Sequence, residues 1–169
     1  MKRAALTAAL VLGTVSLAPL PVPATAGTTP APTPALVVPY DFDANGFADL
    51  AVGAPHLTVG QTSDAGGVFV YPSSSAGPAD HPQLLTRASA DPLGAPQPGD
   101  AFGSALASAD FDHDGYADLA VGQPGRDLPQ GVDAGTVTVF YGSASGLDPH
   151  RVTELPVPKG HRGGARYGT

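Results

Sequence analysis

Apolar residues along this chain fall in short runs, not in long periodic stretches. Residues 49–52 and 118–121 are apolar runs halted by Gly53-Ala54-Pro55 and Gly122-Gln123-Pro124, which reads as a buried strand ending in a turn. Val68-Phe69-Val70-Tyr71 and residues 136–141 are dense in β-branched and aromatic side chains, the composition that suits a pleated, half-buried surface. Residues 104–109 predict another strand, and Arg151-Val152-Thr153-Glu154-Leu155 alternates like an outer one. No part of this pattern predicts a helix. The fold class predicted is all-β.

The runs recur at one spacing. Residues 40–55 return as residues 109–124, so that Asp41 maps onto Asp110 at an offset of 69. The same offset carries Asp64-Ala65-Gly66 onto Asp133-Ala134-Gly135, and Ser74 with Gly77 onto Ser143 with Gly146. One offset across three separate segments is an internal repeat, and a repeat of this kind decides the architecture. About four short antiparallel strands per repeat make the blade of a β-propeller. The unit is longer than the usual blade of about 40–45 residues, and the surplus lies in Gly/Pro/Asp-rich stretches such as residues 91–100.

Composition narrows this further. The chain has 22 Gly and 19 Pro but 42% apolar residues, which favours a fold of many turns over disorder. The formal net charge of −7, with eight scattered Lys and Arg, argues against nucleic acid as a partner. Residues 1–26 read as a secretory leader: Lys2 and Arg3 lead, an uncharged apolar run from Ala4 to Ala18 follows, and Ala24-Thr25-Ala26 forms the cleavage site. Gly13, Pro19, Pro21 and Pro23 leave that run too short to span a bilayer, so no membrane span is expected after cleavage. A secreted product cut after Ala26 is expected, and loss of Lys2 and Arg3 takes the net charge from −7 to −9. Residues 27–37 are a Pro/Thr-rich linker. The chain has no Cys, so disulfides cannot hold it together outside the cell, whereas a bound metal can.

Two acidic loops carry the chemistry. The first offers Asp41, Asp43, Asn45 and Asp49; the second offers Asp110, Asp112, Asp114 and Asp118. Oxygen donors thus stand at positions 1, 3, 5 and 9 of each loop, with Gly46 or Gly115 at position 6. Ca²⁺ takes six to eight oxygens, and alternate residues of a tight loop can turn their carboxylates inward together. The backbone carbonyls of Phe47 and Tyr116, at position 7, would add one oxygen each. Seven of the 15 acidic residues sit in these loops, a concentration of charge that calls for a cation. An EF-hand loop needs Glu at position 12 between helices; here that position is Val52 or Val121, inside an apolar run. Mg²⁺ usually keeps several waters and few carboxylates, leaving Ca²⁺ as the expected ion. The five His show no zinc spacing, and Gly142-Ser143-Ala144-Ser145-Gly146 has Ala at the centre where a nucleophile elbow needs Ser. Phe102, Tyr116, Phe140 and Tyr141 are expected to pack between blades.

Phe102-Gly103, then residues 110–118, then Gly122-Gln123-Pro124 reproduce the FG…DxDxDGxxD…GxP order of FG-GAP repeats, and Gly53-Ala54-Pro55 is the literal GAP. The chain resembles the integrin-α-like FG-GAP β-propeller family. That resemblance implies calcium held by the eight side chains above, stabilising blades without chemistry, in a module for adhesion or binding of an extracellular protein or glycan. It extends to a secreted phospholipase-D-type hydrolase in which such repeats accompany a catalytic domain. Blades are expected over residues 38–100 and 101–166, with Tyr167-Gly168 opening a third. The first repeat lacks Phe-Gly before Asp41. Further blades are therefore expected from a C-terminal region or from another chain.

Overall fold

The computed structural model describes residues 37–90, 93–129 and 131–155, with Val157, Gly164, Arg166, Gly168 and Thr169. The expected leader and most of the linker lie outside the described residues, as do His161 and Tyr167. Among the described residues there is no helix, in agreement with the all-β expectation.

The described residues form nine strands: β1 (Leu50–Ala54), β2 (Gly67–Tyr71), β3 (Ser73–Ser74), β4 (Gly77–Pro78), β5 (Gln83–Leu85), β6 (Ala105–Ala109), β7 (Asp118–Gln123), β8 (Thr136–Phe140) and β9 (Val152–Glu154). The first blade is the antiparallel sheet β1-β2-β5, with β3-β4 as a separate hairpin; the second is β6-β7-β8-β9. Equivalent strands keep equivalent register, Val52 facing Phe69 and Val121 facing Thr138.

Of the four strands expected in each blade, the first sheet shows three. By the offset, the counterpart of β6 would be residues 36–40. Among the described residues the last rung of that pairing is present, the Asp49 N–H donating to the Tyr40 carbonyl at 2.7 Å. Tyr40 adopts a left-handed backbone (φ 64°), and its N–H turns onto Ser108 Oγ of β6 at 2.9 Å. The outer backbone edge of β1 has no strand partner among the described residues.

Side-chain alternation gives each sheet two faces. One face of the first blade presents Ala51, Gly53, Val68 and Val70. It packs against the face of the second blade that holds Leu119, Val121 and Phe140, and the core lies in this joint with Phe42, Leu85 and Phe102. Each such side chain, fully buried, stabilises the fold by about 1.5–3 kcal/mol. Phe102 meets Phe140 edge-on at 6.0 Å, as expected for packing between blades.

The two sheets approach so closely that side chains are excluded at the seam. A Cβ on Gly53 would lie 2.1 Å from the carbonyl oxygen of Gly103. The Phe-Gly pair is therefore a hook that seats its backbone on the preceding blade, with Phe102 N–H donating to the Ala65 carbonyl at 3.1 Å. Gly168 repeats this: a Cβ on Gly122, the counterpart of Gly53, would lie 1.9 Å from the Gly168 carbonyl oxygen. A polar tie crosses the joint as well. Buried Arg87 donates through both terminal nitrogens to Glu154 at 3.2 Å, and to Gln123 Oε1 at 3.1 Å.

Candidate metal centre

Each acidic loop is built from its own backbone. Glycine at position 6 adopts a left-handed backbone (φ 91° at Gly46, 95° at Gly115), a conformation costly for any residue with a Cβ. That turn sends successive N–H groups into the loop, where the position-1 carboxylate collects them. Asp41 accepts from Asn45 and Gly46 at 3.0 and 2.8 Å. Asp110 accepts from Asp114 and Gly115, both at 3.1 Å. Asp43 and Asp112 accept the same position-5 N–H groups. Asn45 Oδ1 and Asp114 Oδ1 then accept from the N–H groups of Phe47 and Tyr116.

The position-9 carboxylates are buried in both loops, and in the first loop Asp41 is buried as well. Asp49 Oδ2 accepts the Phe42 N–H at 3.0 Å and Oδ1 the Ser73 N–H at 2.7 Å. Asp118 does the same with Phe111 at 2.7 Å and Gly142 at 2.9 Å. Each therefore ties its loop to the chain leaving the next strand. Burial raises both carboxyls above the ordinary Asp range, against the two backbone N–H groups that pull each one down. Neighbouring carboxylates add to the rise, Asp43 and Asp41 at the first loop and Asp112 and Asp114 at the second.

Asp110, Asp112 and Asp118 bring one carboxylate oxygen each within 4.8 Å of one another, the one such acidic set among the described residues. Asp114 stands beside them, hydrogen-bonded at position 5. Asp41, Asp43 and Asp49 do not converge to the same degree. In that loop the Asn45 side-chain amide lies across the mouth, donating to Asp43 Oδ2 and to the Ser73 carbonyl, both at 2.9 Å.

In the second loop that bridging place belongs to Arg151, which the sequence reading assigned only to an outer strand. Its guanidinium reaches Asp112 Oδ2 at 2.7 Å, Asp114 Oδ2 at 3.1 Å and the Gly142 carbonyl at 3.0 Å. Gly142 is the counterpart of Ser73. The hydrogen bond that Arg151 donates to Asp114 raises the Arg151 pKa, and the charges of Asp112 and Asp118 add to it. Arg151 also lies over the Tyr141 ring at 5.2 Å, so Tyr141 serves this loop and not the joint between blades. The donor set, hard carboxylate oxygens with a cationic group already drawn to them, fits a divalent cation such as Ca²⁺.

Among the described residues no His side chain joins either loop's polar network. His113 sits at position 4 of the second loop, exposed and left-handed (φ 62°), and His56 pairs with Asp64 at 3.0 Å. Asp100, which lies in the long stretch before the Phe102-Gly103 hook, is fully buried and takes the Gln97 N–H at 2.7 Å and Arg126 at 3.3 Å. No repeat signal marks it, because its counterpart in the first repeat is Ala31.

Stacked antiparallel sheets, each carrying an acidic loop at the start of one of its strands, β1 or β7, and joined through a side-chain-free seam, define a protein of tandem β-propeller blades. The FG-GAP repeat family model matches residues 33–71 and 102–140. The chain belongs to the FG-GAP repeat family. It is 34% identical over 129 residues to phosphatidylinositol-glycan-specific phospholipase D of Rattus norvegicus, covering 70% of this chain and 15% of that protein. It is 33% identical over 123 residues to integrin alpha-PS5 of Drosophila melanogaster, covering 72% of this chain and 11% of that one. Integrin alpha-7 of Rattus norvegicus is 34% identical over 118 residues, with 68% and 9% covered. The chain spans about a seventh of the length of the phospholipase and less of the integrins.

Proposed function

We propose that this chain is a secreted, non-catalytic, calcium-binding module that recognises an extracellular protein or glycan through its blade loops. The observation that carries the metal reading is the convergence of Asp110, Asp112 and Asp118. Asp41, Asp43, Asn45, the Phe47 carbonyl and Asp49 would hold a first ion; Asp110, Asp112, Asp114, the Tyr116 carbonyl and Asp118 would hold a second. Bound calcium supplies positive charge to the loops and fixes their conformation; it takes part in no reaction. Asp49 and Asp118 pass that fixation on, since each joins its loop to the chain beyond the next strand. Export rests on the leader read in residues 1–26, and the likeness to integrin alpha chains supports a binding role.

Thermal unfolding of the chain in excess Ca²⁺ and then in chelator tests this. At a hundredfold excess over Kd, each ion should add about 2.7 kcal/mol of stability. Unchanged melting together with no calorimetric heat of binding would remove the calcium reading.

A second reading places these blades in a secreted hydrolase, favoured by the similarity to the phosphatidylinositol-glycan-specific phospholipase D. The coding sequence following Thr169 separates the two: further repeats alone favour binding, and a non-repeat region rich in His, Asp and Ser favours the hydrolase.

A further inference from the structure

Asn45 is the sole Asn in the 169 residues of the chain, and Gly follows it. An Asn-Gly pair is chemically unstable in water. The main-chain nitrogen of the second residue attacks the side-chain amide carbon of the first, and glycine has no Cβ to shield that nitrogen. The pair stands at positions 5 and 6 of the first acidic loop, where the second loop has Asp114 and Gly115. Loss of the amide nitrogen would thus turn the first loop's donor pattern into that of the second.

The site is open. Residues 44–48 are exposed, and nothing lies within 4 Å of the place a Gly46 Cβ would take. Hydrogen bonds hold the reacting groups. The Gly46 N–H donates to Asp41 Oδ2 at 2.8 Å, Asn45 Nδ2 donates to Asp43 Oδ2 and the Ser73 carbonyl, and Asn45 Oδ1 accepts the Phe47 N–H. The bonds to Asp43 and from Phe47 are themselves exposed, in a segment whose carboxylates repel one another. Such a segment opens locally at little cost in free energy.

We propose that Asn45 is a site of spontaneous deamidation, which proceeds in the metal-free first loop and rewrites its donor set. The Gly46 nitrogen bonds to Asn45 Cγ, the Cγ–Nδ2 bond breaks, and ammonia leaves with the proton that the Gly46 nitrogen gives up. Water then opens the five-membered imide at Cγ, leaving aspartate at position 45, or at the main-chain carbonyl, leaving isoaspartate. Nothing is oxidised or reduced. The aspartate product adds a carboxylate and removes the amide that joins Asp43 to the Ser73 carbonyl. No guanidinium takes over that place, because the counterpart of Arg151 is Pro82. The first loop then gains affinity for a cation and loses stability without one. Isoaspartate lengthens the main chain ahead of Gly46 and misplaces the donors beyond it. The modification is independent of the calcium reading; its restraint by calcium, which would grip Asn45 Oδ1 and Asp41 together, rests on that reading.

Prolonged incubation of the full chain at physiological pH and temperature tests this, in chelator and in Ca²⁺ at a hundredfold excess over Kd. Mass spectrometry of the peptide holding Asn45 reads the amide-to-acid gain, and enzymatic methylation reads isoaspartate. Circular dichroism follows the fold, and a synthetic peptide of residues 41–49 gives the unrestrained rate. In chelator the gain should accumulate in the folded chain and be absent from Asn45→Gln, whose longer side chain closes a ring far more slowly. Calcium should slow it about a hundredfold, the factor by which it depletes the metal-free loop. Asn45→Asp should bind Ca²⁺ more tightly than fresh wild type at the first loop and melt lower in chelator. A folded chain whose Asn45 stays intact in chelator while the peptide converts would overturn the proposal. So would a rate unchanged by calcium that calorimetry shows bound at the first loop, or an Asn45→Asp variant that matches wild type in affinity and melting. Equal rates without any calorimetric binding would sink the calcium reading and leave conversion at Asn45 as support for the modification.

Discussion

Arg151 reaches across 39 residues of chain to place its guanidinium 2.7 Å from the Asp112 carboxylate. The second acidic loop thus carries its own cation, whereas the first has the neutral amide of Asn45 in the corresponding place. The two loops should therefore differ in their response to metal. Replacing Arg151 with Gln removes a half-exposed positive charge and should tighten Ca²⁺ at the second loop about two- to fivefold, the scale expected of a solvent-screened ion pair. The first loop should be unaffected. Two-site calorimetry of the variant against wild type reads both.

Asp118 and Asp112 should separate on mutation. Asp118→Asn puts an NH₂ group against one of two buried N–H donors, Phe111 or Gly142, and an unpaired donor costs about 1–3 kcal/mol. That loss should be present in chelator as well as in calcium. Asp112→Asn, at the exposed side of the loop, should change stability in chelator by less than about 0.5 kcal/mol while weakening the gain from calcium. Urea melts of both variants, with and without Ca²⁺, make the comparison.

Gly53→Ala drives a methyl group into the Gly103 carbonyl, 2.1 Å from its oxygen. Neither partner is a flexible side chain, so the blades themselves must shift. A loss of about 1–3 kcal/mol is expected from this overpacking, with little change in calcium affinity because neither loop is touched. Denaturant melting and calcium titration of the same sample check both halves.

Arg87 is the buried member of the tie across the joint, 3% exposed against 29% for Glu154. Arg87→Ala leaves Glu154 and Gln123 without their donor. It should cost toward the lower end of the about 3–5 kcal/mol seen when one partner of a buried pair is removed. Arg87→Lys should recover only part, since a point charge cannot fork onto both Glu154 oxygens. Chemical denaturation of the two variants orders them.

Local features were legible in the sequence. Runs of β-branched and aromatic residues located β2 and β8 to within a residue, and the GAP and FG pairs marked both sides of the seam. The acidic positions were legible because each loop is contiguous and occurs twice. What escaped notice depends on chain segments brought together from afar. Arg151 reaches Asp112 over 39 residues and Arg87 reaches Glu154 over 67, and no spacing rule connects them. Strand β5 (Gln83–Leu85) was missed because three residues are too few to show alternation. The second role of Asp49 and Asp118 was hidden for a related reason: the same carboxylate type serves a metal loop or a backbone tie, and only the fold shows the N–H groups that approach it.

The seam at Gly53 and Gly103 bears on how such a chain changes over generations. Where backbone meets backbone, no side chain has to be matched to its opposite number, so a duplicated unit fits beside its parent without compensating substitutions. Variation is then free to collect in the loops while the seam stays constant. A gene built on this seam lengthens by copying, and each added unit arrives with a surface ready to accept the next.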